Sequence, residues 1–172
     1  AVATAAAPTA AGPAPVASEK VTITTDVVKA TFDTKGGDLV HLELLKYTDA
    51  ADHSHKVALF DQSVQRVYLA QSGLVTTQPG INLPNHFTVM RLLPGERTLA
   101  DGQNAISVVF ESPEIGGTQL VTSYTFKRGE YPVLVKHTFK NNSPAAISPQ
   151  LYLQLARDGN APAGESSFYS TF

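Results

Sequence analysis

The chain has 172 residues, 42% of them hydrophobic and 16% charged, with a formal net charge of −2, which suits one domain with a core and argues against disorder throughout. The weak negative balance gives no field that would draw nucleic acid or an anionic membrane surface. No apolar run approaches the roughly 18 to 20 residues that cross a bilayer, and the absence of cysteine excludes disulfides and thiolate metal sites while leaving the compartment open.

Residues 1–19 are almost entirely Ala, Pro, Thr, Val and Gly, with Pro8, Pro13 and Pro15 interrupting any Ala-driven helix. With little to bury, the ordering cost exceeds the contact energy, and the segment reads as a linker ahead of a folded domain spanning residues 20–172.

From Lys20 the hydrophobic period is two, the signature of strands whose successive side chains face opposite ways. Val21 and Ile23 share a face; Asp26 breaks the phase, and Val28, Ala30 and Phe32 resume it. The turn Lys35-Gly36-Gly37-Asp38 leads into a strand in which Val40, Leu42 and Leu44 alternate with His41, Glu43 and Leu45, so the two strands form a hairpin. Further strands are predicted over residues 57–60, 64–71, 86–90, 105–111, 118–126, 133–141 and 150–155. Between them lie turn signals at Ser72-Gly73, Pro79-Gly80, Pro94-Gly95, Asp101-Gly102, Gly116-Gly117 and Asn141-Asn142-Ser143-Pro144. Residues 50–56 and 74–84 read as loops. Strands with one apolar face need a second layer, so the expected fold is all-β, an antiparallel β-sandwich. The three aromatics of Phe168-Tyr169-Ser170-Thr171-Phe172 read as a terminus that needs a neighbour. We therefore expect a domain truncated at its C-terminal end, whose exposed strands pair two copies into a homo-dimer.

No motif for chemistry stands out. His53-Ser54-His55 with Asp49 and Asp52 could hold a metal through imidazole and carboxylate, but residues 48–56 read as a solvated loop, and no metal or cofactor is expected. His137 falls in phase with Val133, Val135 and Phe139, as a core or half-buried histidine would. The carboxylates Asp33, Asp38, Glu43, Glu111, Glu114 and Glu130 read mostly as solvated turn residues. No serine lies in a Gly-x-Ser-x-Gly elbow, so no catalytic residue is assigned. Lys127, Arg128, Lys136 and Lys140 cluster about one hairpin, where lysine on an edge strand resists aggregation.

Four stretches carry a resemblance: Val21-Thr22-Ile23-Thr24-Thr25-Asp26-Val27, Thr34-Lys35-Gly36-Gly37-Asp38, Val67-Tyr68-Leu69-Ala70-Gln71-Ser72-Gly73-Leu74 and Phe126-Lys127-Arg128-Gly129-Glu130-Tyr131. In this order the chain resembles the large periplasmic domain of the YidC family of membrane protein insertases, over about residues 21–172. The resemblance implies a β-supersandwich similar to that of galactose mutarotases, about twice this length in the family. It also implies a place on the periplasmic face of the bacterial inner membrane and, through the full-length protein, Sec translocon components and nascent inner-membrane proteins as partners. It carries no insertase residue onto this sequence, and the implied role is a non-enzymatic interaction module. The alternative is a carbohydrate-binding or mutarotase-like domain with a sugar ligand, for which His137, His86 and Glu111 are the available acid and base groups.

Overall fold

The computed structural model describes residues 17–50, 52–64 and 66–159. Most of the predicted linker and the aromatic stretch 168–172 lie outside the described residues, as do Ala51 and Gln65.

Ten strands and no helix make up the described chain: β1 (Lys20–Thr24), β2 (Val28–Asp33), β3 (Asp38–Thr48), β4 (Lys56–Gln62), β5 (Val67–Val75), β6 (Arg91–Leu92), β7 (Ala105–Glu111), β8 (Thr118–Lys127), β9 (Val133–Asn141) and β10 (Gln150–Arg157). They form two antiparallel sheets, one in the order β1-β2-β3-β4-β5-β10 and one in the order β6-β7-β8-β9. The expected all-β sandwich is the fold. The chain lays down five strands of the first sheet, builds the second, and returns with β10 to pair with β5.

The period-two pattern decides which side chains meet between the layers. Val28, Ala30 and Phe32 of β2 are fully buried, and they face Ile106, Val108 and Phe110 of β7 and Leu120, Tyr124 and Phe126 of β8. Phe32 is the centre of this core, its ring 4.5 Å from Tyr124, 5.6 Å from Phe110 and 6.2 Å from Phe126, centroid to centroid. Tilted and edge-on aromatic pairs of this kind add about 0.5–1.5 kcal/mol each to the burial of apolar area. The Tyr124 hydroxyl donates to the Gly37 carbonyl at 2.8 Å, which ties the second sheet to the β2–β3 turn. Gly36 and Gly37 hold that turn at φ +75° and +67°, a region that other residues enter only with strain.

Four sequence expectations are corrected. The phase of β3 slips at a β-bulge between Thr31 and Phe32, where Thr31 pairs with His41 but Phe32 pairs with Leu39. The extra residue puts Leu39 and Leu42 inside, whereas Val40 lies under the loop at His86 and Phe87. Ser72-Gly73 is no turn: both residues sit inside β5, which starts at Val67 rather than at Val64. Residues 86–90 form no strand but pack as a loop, and a two-residue strand follows at Arg91–Leu92. Asp38 is no solvated turn residue, being only 6% exposed.

Candidate interaction surface

Among the described residues, β9 and β10 are the outermost strands of their sheets, on the same flank of the sandwich. Directly paired residues in an antiparallel ladder share a face. Leu151, Leu153 and Leu155 pair with Leu74, Ser72 and Ala70, and Leu74 and Ser72 are buried, so the three leucines point inward. They are nevertheless 49%, 71% and 62% exposed. In the other sheet Val135 pairs with the core residue Tyr124, so it also points inward, and it is 40% exposed. The two sheets thus part at this flank, leaving an apolar cleft of about 240 Å³ lined by Ala70, Ser72, Tyr124, Val135, Leu153 and Leu155. Burying one leucine side chain fully is worth about 1.5–3 kcal/mol, so a three-leucine stripe with no cover among the described residues favours whatever packs on it.

The cleft has one polar strut. His137 pairs with Thr122, which is buried between the sheets, and its Nε2 lies 2.8 Å from Ser72 Oγ of the opposite sheet. Burial pushes the His137 imidazole below its ordinary pKa, because a dry setting disfavours the charged form.

A second polar group lies on the outer face of the six-stranded sheet. Gln154 donates to Gln71 Oε1 at 2.8 Å, and Gln71 donates to Asp38 Oδ2 at 2.6 Å. Asp38 Oδ1 is buried with no hydrogen-bond partner among the described residues. Burial pushes this carboxyl up to about 7, only partly offset by the Gln71 hydrogen bond. Beside it the loop carrying His86 approaches Gly73 so closely that a Cβ there would lie 2.7 Å from the Asn85 Cα and 2.5 Å from the Tyr152 hydroxyl. The Tyr152 hydroxyl accepts from the His86 backbone N–H at 3.3 Å and hydrogen-bonds the His86 ring. Burial, helped by nearby Lys35, lowers the His86 pKa.

The acid and base groups available to a sugar-converting site do not converge. His137 points between the sheets, His86 lies on the outer face of the six-stranded sheet, and Glu111 pairs across β7 and β8 with Val121, next to the inward residues Phe110 and Leu120 and so on the opposite face of its sheet from His137. Glu111 is held by Arg91 and by Lys140 at 3.7 Å, and the Arg91 hydrogen bond lowers its pKa. Of the other carboxylates, Glu43 meets Lys29 and His41, Asp33 accepts from the Lys35 N–H, Glu114 accepts from Asn142, and Glu130 meets Lys127. Asp33 and Asp38 line a common depression of about 100 Å³.

Asp52 binds the predicted loop together, accepting from Ser54 Oγ at 2.6 Å and meeting His55 Nδ1 at 2.9 Å. Those Ser54 hydrogen bonds bring its pKa to about 2. Asp49 accepts from the Asp52 N–H at 3.2 Å, and among the described residues no group of three or more His, Asp or Glu is arranged to hold a metal ion. The basic cluster is dispersed too. Arg128 donates to the Ala100 and Gln103 carbonyls, while Lys136 and Lys140 stand on the outermost strand β9. Exposed strands are expected from the sequence, but that β10 is one of them and that Asp38 is buried are not legible there, because alternating leucines read as core and an Asp after Gly-Gly reads as a turn.

A two-sheet antiparallel β-domain, with one apolar flank uncovered among the described residues, is the class that this geometry defines. The model of the YidC periplasmic domain matches residues 20–172, and the chain belongs to that family. It is 48% identical over 159 residues to the membrane protein insertase YidC of Janthinobacterium sp. (strain Marseille), covering 92% of this chain and 27% of that protein. It is 47% identical to the protein of the same name from Herminiimonas arsenicoxydans, covering 93% and 27%, and 47% identical to that from Cupriavidus metallidurans, covering 90% and 26%. The chain thus spans about a quarter of the length of these relatives. Its family is a periplasmic one, and no helix among the described residues is long and apolar enough to cross a membrane.

Proposed function

We propose that the chain is a periplasmic interaction module of a membrane protein insertase, a domain that binds other polypeptides and catalyses no reaction of its own. Its partners, in this reading, are nascent inner-membrane proteins and components of the Sec translocon, engaged through the longer protein. The residues 1–19 serve as a spacer ahead of the module. The observation that carries the binding role is the uncovered inward stripe Leu151, Leu153 and Leu155, and the family match over residues 20–172 supplies the insertase setting.

Family membership makes the test a chimera. Residues 20–172 replace the matching segment of the Janthinobacterium insertase, and the hybrid is expressed in a strain depleted of its own insertase. Restored insertion of a reporter membrane protein is the expected result. A hybrid that accumulates in the membrane, resists protease as a folded domain and inserts nothing would overturn the reading. The distribution of His137, His86 and Glu111 over three faces gives a sugar-converting reading no support.

A further inference from the structure

Asp38 opens β3 on the outer face of the six-stranded sheet, yet it is only 6% exposed. Gln71 donates to its Oδ2, whereas its Oδ1 is shut off from solvent with no hydrogen-bond partner among the described residues. The neighbours that enclose it are local. A Cβ built on Gly36 would lie 2.5 Å from Asp38 Oδ1, 2.7 Å from the His86 carbonyl oxygen and 2.8 Å from the His86 Cα. The carboxyl and the His86 carbonyl thus crowd the same side of Gly36, where residues 85–88 close over the β2–β3 turn. An oxygen sealed in this way is out of reach of any other segment of chain while residues 85–88 stay seated.

A carbonyl oxygen and an ionised carboxylate both only accept hydrogen bonds, so the two repel unless a proton lies between them. A neutral carboxyl has an O–H to donate there, and it avoids the cost of burying a charge without a partner. Burial is the main influence that lifts the Asp38 pKa to about 7; the Gln71 hydrogen bond opposes it, Asp33 adds to it and Lys35 opposes it.

Residues 85–88 are held together as a unit. The Thr88 N–H donates to the Asn85 carbonyl, the Phe87 N–H to Asn85 Oδ1 and the Asn85 N–H to Thr88 Oγ1. The unit is tied to the sheet by the His86 N–H on the Tyr152 hydroxyl at 3.3 Å and to the β2–β3 turn by the Gly36 N–H on the Thr88 carbonyl at 2.7 Å. On either side the chain is fixed separately, by the Leu74 N–H on the Pro84 carbonyl and the Met90 N–H on the Thr34 carbonyl. We propose that Asp38 is a proton-operated latch. As the neutral acid it donates to the His86 carbonyl and keeps residues 85–88 seated; on giving its proton to solvent it releases them and uncovers the depression lined by Asp33, Lys35, Val40 and Phe87.

The other groups that face Asp38 do not supply this switch. Asp33, closing β2, and Lys35, in the turn, offset one another in charge, and β4 and β5 contribute the uncharged Gln62 and Gln71. Burial keeps Tyr124 of β8 and Tyr152 of β10 above the ordinary phenol value, so both stay neutral. His86 lies below its ordinary value and gains charge only as pH falls, which loosens residues 85–88 in the opposite direction.

The seated acid holds its proton more tightly than the released one, so release grows as pH rises from about 4, the ordinary carboxylate value, to about 7, and is level above that. The test is amide exchange of the full chain between pH 5 and 8, corrected for the intrinsic pH dependence of exchange. Protection at His86 and Gly36 should fall about tenfold or more by pH 7, relative to Leu74 and Met90, because each pH unit in the window shifts such an equilibrium by up to about tenfold. Asp38→Asn keeps an acceptor for Gln71 and a donor toward His86 at every pH, so its protection should stay level. His86→Gln removes the imidazole and should keep the fall. A parent chain with no fall, an equal fall in Asp38→Asn, or loss of the fall in His86→Gln would overturn the latch. Carboxyl-carbon NMR of the parent serves if Asp38→Asn does not fold. Titration of Asp38 that ends where the loss of protection levels off supports the latch, and titration at the ordinary carboxylate value refutes it.

Discussion

Ser72 Oγ and His137 Nε2 lie 2.8 Å apart and join the two sheets at the cleft. Ser72 is buried in the middle of β5 and His137 faces it from β9, so the contact fixes how far the sheets part where no apolar side chain fills the gap. Removing the hydroxyl strands the imidazole. Ser72→Ala should lower stability by about 1 kcal/mol, read as a shift in the urea midpoint without a change in slope.

The same contact has a pH signature. The folded-state pKa of His137 lies below its unfolded value because of burial, so the folded state resists protonation. The stability this group contributes is full above the unfolded pKa near 6.5 and falls as pH drops through that value toward the lower folded one. His86 acts in the same direction. Urea midpoints measured between pH 7.5 and 5 should decline more steeply in the parent chain than in His137→Gln, and parallel declines would contradict the buried, neutral imidazole.

Asp38 runs the other way. Its folded pKa, raised to about 7 by burial, exceeds the unfolded value, so the protonated form is favoured in the folded state and stability is lost as pH rises from about 4 to about 7. A shift of that size corresponds to about 4 kcal/mol in a dry site, and about 2 kcal/mol once solvent screening at this sheet face is allowed for. Asp38→Asn should therefore be more stable than the parent at pH 8 and no more stable at pH 4. A variant less stable at both would show that the carboxylate has a partner in the folded state.

Gly73 admits no side chain. A Cβ would lie 2.5 Å from the Tyr152 hydroxyl and 2.7 Å from the Asn85 Cα, and the second of these is backbone that cannot swing aside. Gly73→Ala should cost about 1–3 kcal/mol by overpacking and release the loop at His86, visible as faster amide exchange at Phe87 and Thr88. Unchanged exchange would mean that the loop is held elsewhere.

At the core, Phe32 contacts three aromatic rings and is fully buried. Phe32→Ala should cost about 3–5 kcal/mol, a large share of the total for a domain of this size, and thermal unfolding should shift down accordingly. A loss under 1 kcal/mol would place the centre of the core elsewhere.

The strands were legible because inward residues on β2, β7 and β8 keep strict alternation, and the Gly36-Gly37 and Lys127–Glu130 turns carry the residues that such turns demand. The Glu130 N–H donates to the Lys127 carbonyl at 3.2 Å, and Gly129 takes φ +72°. The bulge at Thr31 was not legible, since a single extra residue leaves the pattern on either side intact and only flips Val40. The pairing of β10 with β5 was hidden for another reason: the partners stand more than seventy residues apart, and period two says which face is apolar, not which strand lies alongside. The family resemblance lay in short ordered motifs and needed no knowledge of sheet order, which is why it could be read before the flank could.

The most direct measurement of the interaction role is insertion of a reporter membrane protein by the chimera in three forms: unaltered, Leu151→Lys/Leu153→Lys on the flank, and Val64→Lys at a position 100% exposed in the β4–β5 connection. The account predicts that the flank variant inserts several-fold less reporter while Val64→Lys matches the unaltered chimera, all three accumulating equally. Equal insertion by all three would contradict it.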